Sequence, residues 1–137
     1  QRAKRISPAR TADRLGLIYT FHQDTPVILP NMFETVDCAV NRQTKNGICL
    51  DSNEDSTTQR LDVIDALKAV TINAAYQYFE EKEKGSLVVG KKADFIIVDQ
   101  NPFTIEDQIK NGKLKNICVL QTYKDGICLY KREKEEL

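Results

Sequence analysis

The residues of this sequence whose types and spacing favour chemistry are His22 and Asp24, two positions apart and just before Pro26. The run that precedes them, residues 16–21, is almost continuously apolar and β-branched. Such a run predicts a strand buried on both faces, as in parallel sheets. A histidine and an acid at the carboxyl end of such a strand lie where α/β barrels carry their catalytic groups. Since catalytic zinc normally takes three protein ligands, this pair supplies only part of a metal site.

The overall composition excludes several classes of protein. A chain of 137 residues suits one modest domain or a piece of a larger one. Its 20 basic and 20 acidic side chains give no net charge, so no field attracts nucleic acid or an anionic membrane. No apolar run approaches the roughly 20 residues needed to span a bilayer. We therefore expect a soluble, cytoplasmic protein that binds neither nucleic acid nor membrane.

The four cysteines are Cys38, Cys49, Cys118 and Cys128, and no two of them form a C-x-x-C pair. This spacing argues against a structural zinc site. Cys118 and Cys128 lie in apolar runs, where a free cysteine acts as a small buried hydrophobe. We expect four reduced thiols, as is usual in the cytosol.

Helical periodicity follows the predicted strand. Apolar residues recur at helical spacing over residues 32–40 and predict an amphipathic helix that ends near residues 44–47. Residues 51–56 are polar and turn-prone, which predicts a surface loop. A second helix, capped by Ser56, Thr57 or Thr58, is predicted to run to Phe79 with a break near Thr71.

The pattern changes after Gly85 and becomes rich in strands. The predicted elements are a short strand with a glycine turn at 86–92, a buried strand at 93–99, a short helix at 104–110, a turn at 111–112, and a hairpin with strands at 117–123 and 127–131. The pair Asp125-Gly126 tolerates the positive φ angles of a tight hairpin turn. Residues 1–83 are thus α/β and residues 84–137 β-rich.

In this order the segments resemble the C-terminal region of metal-dependent amidohydrolases, above all the amidohydrolase-3 branch that includes N-substituted formamide deformylases. Residues 6–8, followed by Gly16 and residues 21–27, resemble that branch's eighth barrel strand and the loop after it. Residues 39–42 resemble its following helix. Residues 65–76 resemble the "AL…T…NAA" helix pair. Residues 84–99 resemble the most recognisable signature, "GSL…GK.AD". The ordered set covers nearly the whole chain.

The resemblance implies a (β/α)8 TIM barrel that holds one or two divalent metals, usually zinc. In that family the metal lowers the pKa of a bound water, an aspartate after strand eight accepts its proton, and hydroxide attacks a carbonyl carbon. Asp24 occupies the position of that catalytic and metal-binding aspartate. His22 beside it would face the substrate, or contact the residues that hold the metal, rather than bind the metal itself. Residues 1–83 would be the last strand and helices of the barrel. Residues 84–137 would be the C-terminal part of a composite β-sandwich.

The sequence departs from the family pattern because it has no H-x-H and no second histidine. The family's architecture implies that about three quarters of the enzyme lies upstream. We therefore expect a C-terminal fragment of a hydrolase that acts on carbon–nitrogen bonds other than peptide bonds, in a small amide, formamide or cyclic amide. The chain alone would lack most metal ligands, bind no metal tightly and be inactive.

Alternative interpretations stay open for several residues. Asp24 could simply turn the chain before Pro26, and His22 could be a partly buried histidine bonded to the backbone. Lys91 and Lys92 fit a turn better than an anion site, and Arg42 fits a favourable contact with a helix C-terminus. A second hypothesis is a non-catalytic module that self-associates or docks on a partner, such as the missing N-terminal part, through exposed edges and apolar surface.

Overall fold

The computed structural model describes residues 5–51, 58–104 and 114–133. In chain order they form α1 (Ala9–Arg14), α2 (Met32–Asn41), α3 (Val63–Ala69), α4 (Ile72–Gln77), β1 (Phe95–Val98), a 3-10 helix (Leu114–Asn116), β2 (Val119–Lys124) and β3 (Ile127–Lys131). In this part of the chain, every helix is too short or too polar to cross a membrane. The mixed α/β character that the sequence predicts is confirmed.

Helix α2 is the amphipathic helix that the apolar period predicts, but it ends at Asn41 rather than near residues 44–47. Its N-cap residue is Asn31, whose side-chain oxygen accepts hydrogen bonds from the backbone N–H groups of Phe33 and Glu34, at 3.1 and 3.3 Å. It ends early because Arg42 adopts a left-handed conformation, with φ of 52°. The two caps therefore set the length of the helix.

The predicted second helix is two helices, α3 and α4, and the break near Thr71 is confirmed. The Thr71 hydroxyl donates to the Leu67 carbonyl at 2.7 Å and so closes the end of α3. The prediction that Thr58 caps this helix is wrong, because α3 begins only after Asp62, which forms no side-chain cap. Ser56 and Thr57 lie outside the described residues.

The three strands form one antiparallel sheet in the order β1-β2-β3. The hairpin is confirmed, and its turn residues Asp125 and Gly126 have φ of 50° and 78°, as a type I′ turn requires. Strand β1 is confirmed but only half buried, since Ile96 and Ile97 keep much of their surface exposed. The strand predicted within residues 86–92 does not form, but its glycine turn is confirmed, since residues 89–90 form a turn and Gly90 has φ of 94°. The helix and turn predicted over 104–112 fall almost wholly outside the described residues.

The strand predicted at residues 16–21 does not form. A strand needs a neighbour to complete its ladder of hydrogen bonds, and the described part of the chain places no strand beside it. Helix α4 holds the segment instead: Asn73 donates to the Tyr19 carbonyl at 3.0 Å, and the Thr20 hydroxyl to the Gln77 side chain at 2.8 Å. The rings of Tyr19 and Phe21 pack against the core.

The core joins the helices to the residues that precede β2. Its buried members are Phe33, Val36, Val40, Leu61, Val63, Ala66, Leu114 and Ile117. Asp37 on α2 accepts hydrogen bonds from the backbone N–H groups of Leu114 and Lys115, at the start of the 3-10 helix. Burial raises the pKa of Asp37, although these bonds and one from Asn41 oppose the shift. The core therefore crosses the predicted boundary at residue 83, and the two-domain division stays a prediction.

All four cysteines are free thiols. Cys118 is half-buried, but Cys128 is exposed, so the prediction of a buried side chain is wrong there. Cys128 lies on β3, whose second edge has no neighbouring strand among the described residues. An edge strand of this kind leaves its residues open to solvent.

Candidate functional site

His22 and Asp24 stand at the entrance of the loop that joins the segment docked on α4 to helix α2. Both residues are exposed. Asp24 has a left-handed backbone, with φ of 56°, and its carbonyl accepts a hydrogen bond from Val27 N–H at 2.8 Å. The next peptide bond, Thr25-Pro26, is cis. Asp24 thus does turn the chain before the proline, and its carboxylate stays open to solvent.

A pair of hydrogen bonds closes this loop at its base. The Gln23 side-chain amide donates to the Asn31 carbonyl oxygen, and its oxygen accepts from the Asn31 backbone N–H. Within the loop, the Thr25 hydroxyl donates to the Ile28 carbonyl at 3.1 Å. Because Asn31 also caps α2, the loop that carries Asp24 is anchored to the first turn of that helix. We call this pair of bonds the Gln23–Asn31 clasp.

His22 borders a cavity of about 250 Å³ between α2 and residues 6–9, which we call the lead-in segment. Phe21, Cys38, Ala39 and Arg42 also line the cavity. His22 is exposed, which contradicts the alternative of a partly buried histidine. The arrangement leaves the imidazole accessible to a small molecule.

The described residues do not form a metal site by themselves. Among them, no group of three or more histidine, cysteine, aspartate or glutamate side chains lies close enough together to hold a metal ion. Asp24 can supply one carboxylate ligand, and a catalytic metal site needs more.

Behind the cavity lies a buried ionic cluster that the sequence did not predict. Asp51, expected in a surface loop, is buried, and its two carboxylate oxygens lie 3.3 Å from Arg42 Nε and 3.2 Å from Arg60 Nε. The backbone N–H of Gln59 donates to the same carboxylate at 2.8 Å. Burial raises the pKa of Asp51, but these bonds and the two guanidinium charges outweigh it, so the pKa is lowered. The remaining residues of that predicted loop, 52–56, lie outside the described residues.

Arg42 therefore does more than contact a helix C-terminus. Its guanidinium also donates to the Ser7 carbonyl at 3.2 Å, and its backbone carbonyl accepts from Leu50 N–H at 2.8 Å. One side chain thus joins the lead-in segment, the end of α2 and the segment that enters α3. No spacing rule links Arg42, Asp51 and Arg60 in sequence, so only their charges could have suggested the cluster.

The charged side chains around β1 bind groups in the sheet and in the neighbouring turns. Asp94, before β1, accepts from Asp125 N–H and from the Lys124 ammonium, each at 2.8 Å. Asp99, after β1, accepts from Cys118 N–H at 2.9 Å. Lys91 donates to the Ser86 hydroxyl at 2.7 Å, and Lys92 pairs with Glu83. The lysines bind the chain's own acceptors, as the turn interpretation predicts.

Comparison with known proteins identifies the family. The model of the amidohydrolase family Amidohydro_3 matches residues 1–130. The chain belongs to the amidohydrolase family. It is 30% identical over 128 residues to the N-substituted formamide deformylase of Arthrobacter pascens, which covers 93% of this chain and 22% of that protein. It is also 55% identical over 40 residues to the imidazolonepropionase of Streptococcus pyogenes, which covers 29% of this chain and 10% of that protein.

Solved structures agree with this amidohydrolase assignment. An amidohydrolase from Thermotoga maritima superposes with a TM-score of 0.58 at 25% identity, over 90% of this chain and 26% of that one. E. coli guanine deaminase superposes with a TM-score of 0.61 at 18% identity, over 90% of this chain and 30% of that one. This second likeness supports the fold and nothing more. The chain thus spans less than a third of the length of either structure. Members of the family generally use a divalent metal.

Proposed function

We propose that this chain is the C-terminal region of a hydrolase that cleaves carbon–nitrogen bonds other than peptide bonds in a small amide, formamide or cyclic amide. The observation that carries the proposal is the family match over residues 1–130. The likeness to a formamide deformylase over 128 residues supports the substrate class. The division into the end of a barrel, residues 1–83, and part of a β-sandwich, residues 84–137, belongs to the same proposal.

In this proposal Asp24 is the catalytic base. Its carboxylate is exposed on an anchored loop and can accept a proton from a water molecule that attacks a carbonyl carbon. His22, exposed two residues earlier, would contact the substrate beside it. Asp24 would also be one ligand of a divalent metal, which we propose is zinc and which supplies Lewis acidity when bound. The other ligands would come from outside the described residues.

The test uses the longest product of the reading frame that encodes this chain. Three compounds are assayed. N-butylformamide is tested for release of formate, a cyclic amide for its ring-opened acid, and a dipeptide for free amine. We expect hydrolysis of one of the first two and none of the dipeptide, and Asp24→Asn should lower kcat by about 10³-fold or more. Substituting His22→Gln should chiefly raise KM, because a group that only binds substrate leaves kcat unchanged.

Asp125→Asn is the matched control for Asp24→Asn. Asp125 is also an exposed aspartate with a left-handed backbone, φ of 50°, and asparagine before glycine suits its turn. This variant should keep wild-type kcat. Full activity of Asp24→Asn would contradict the assigned role of Asp24, and failure of the wild-type protein on every carbon–nitrogen substrate would contradict the proposed function.

A second candidate function is a module that self-associates or pairs with an N-terminal partner chain. Large apolar side chains that are mostly exposed favour it: Leu29 at 81%, Phe79 at 90%, Leu87 at 74% and Val89 at 103%. Strands β1 and β3 each have one neighbour among the described strands. Light scattering of the purified chain should then show a concentration-dependent rise in mass. A compact monomer at every concentration would count against this function.

A further inference from the structure

Gln23 lies between the two proposed site residues. Its side chain forms the Gln23–Asn31 clasp, which closes the loop that carries Asp24. It is half-buried, whereas its neighbours His22 and Asp24 are exposed. Its side-chain amide uses both its donor and its acceptor on one residue, Asn31, eight positions along the chain. A primary amide can pair with one residue's backbone in this way, because its NH2 donors and its carbonyl oxygen lie side by side and the backbone of Asn31 offers one N–H and one carbonyl oxygen.

The clasp ties Asp24 to a rigid element. Asn31 caps α2 through its side chain, and α2 is held in the core by Val36 and Val40. The rest of the loop has weaker anchors: one backbone bond from Val27 to Asp24 and one from the Thr25 side chain to Ile28. Asp24 directly follows Gln23, so the position of the Asp24 Cα depends on the two hydrogen bonds of the Gln23–Asn31 clasp.

We infer that Gln23 is a positioning residue that holds the Asp24 carboxylate in place for catalysis. This inference rests on the proposed function, because it gives Asp24 a reaction to serve. The side chain need not touch substrate. A misplacement of a reacting group by about 1 Å can cost on the order of 100-fold in rate. Other side chains of similar length cannot replace it: methionine has neither group, and glutamate at neutral pH sets a negative oxygen against the Asn31 carbonyl.

The test compares Gln23→Met and Gln23→Glu with Gln100→Met, which removes an exposed glutamine from another part of the chain. The same full-length product and substrates are used. Gln23→Met should lower kcat by about 10- to 100-fold and leave KM within about twofold. Gln23→Glu, which keeps the acceptor but sets a negative oxygen against the Asn31 carbonyl, should lose at least as much. Gln100→Met should match wild type, and the three melting temperatures should agree to within a few degrees.

Amide hydrogen exchange gives a second readout that does not need activity. Gln23→Met should speed exchange at the Asn31 and Val27 amides by about tenfold and leave α3 and α4 unchanged. Unchanged exchange at both amides, or unchanged kcat in a variant with a loosened loop, would overturn the inference. If wild type hydrolyses no substrate, the proposed function fails and with it the catalytic role of Gln23, whereas the exchange data still decide whether the clasp holds the loop. If Gln23→Met does not fold, Gln23→Glu decides by the same criteria.

Discussion

Arg42 and Asp51 form a buried ion pair, with 3.3 Å between Nε and Oδ2 and side-chain exposures of 6% and 1%. The pair connects the left-handed end of α2 to the segment that leads into α3. Arg60 shares the same carboxylate at 3.2 Å. Because the Asp51 carboxylate contacts two guanidinium groups, loss of its charge removes a buried interaction from both.

Asp51→Asn should therefore lower the free energy of unfolding by about 3–5 kcal/mol, the usual cost of removing one partner of a buried ion pair. Urea denaturation at pH 7 measures the change. The control is Asp62→Asn, which removes the largely exposed partner of Arg10, 3.1 Å away. That surface pair should contribute less than about 1 kcal/mol. Equal losses in the two variants would contradict the assigned importance of the buried cluster.

The same cluster predicts how stability changes with pH. The pKa of Asp51 is lowered in the folded protein, so it lies below the unfolded value of about 3.9. The stabilisation is therefore complete above that unfolded value and is lost as pH falls through the folded pKa. Urea denaturation between about pH 6 and pH 2.5 should show the gap between wild type and Asp51→Asn narrowing towards acid. A difference in the free energy of unfolding that widens towards acid pH would contradict this prediction.

Gly85 packs directly against α4, and a larger residue should not fit. Its φ is +87°, and an added Cβ would lie 2.7 Å from the Ala75 Cβ and 3.0 Å from the Ile72 Cα. Gly85→Ala should destabilise the fold by about 1–3 kcal/mol through overpacking, in addition to the backbone cost of a positive φ. Gly90→Ala is the control, because Gly90 has φ of +94° and nothing within 4 Å of its Cβ position. Thermal unfolding should show a clearly larger loss for Gly85→Ala.

Asp94 and Asp99 should each hold one end of the contact between β1 and the hairpin. Asp94 accepts from Asp125 N–H, and Asp99 from Cys118 N–H. Asp94→Ala should speed hydrogen exchange at Asp125 and not at Cys118, and Asp99→Ala should do the reverse, since each removes one local acceptor. The two variants serve as controls for each other. Equal changes at both amides in either variant would show that the ends are not independent.

Several features of the fold follow from local sequence. The apolar period of residues 32–40 predicts α2, and the Asp125-Gly126 pair predicts the hairpin turn with its two positive φ angles. The break at Thr71 was also predictable, because its side chain bonds to the preceding turn of the helix. The ordered motifs identified the amidohydrolase family, which the comparisons confirm. In all of these the interacting residues lie close together in the sequence or form a continuous motif.

The tertiary structure alone decided the features whose partners are distant in sequence. Residues 16–21 have the composition of a buried strand, but Asn73 and Gln77 hold part of this segment against α4. Asp51 has the composition of a surface loop, but Arg42 and Arg60 bury it. Asp24 could be proposed as a site residue from the sequence, because it is an acid that follows an apolar run and precedes Pro26. Only the folded loop shows that Gln23 anchors it to Asn31, because that bond depends on how the chain returns after the turn at Pro26.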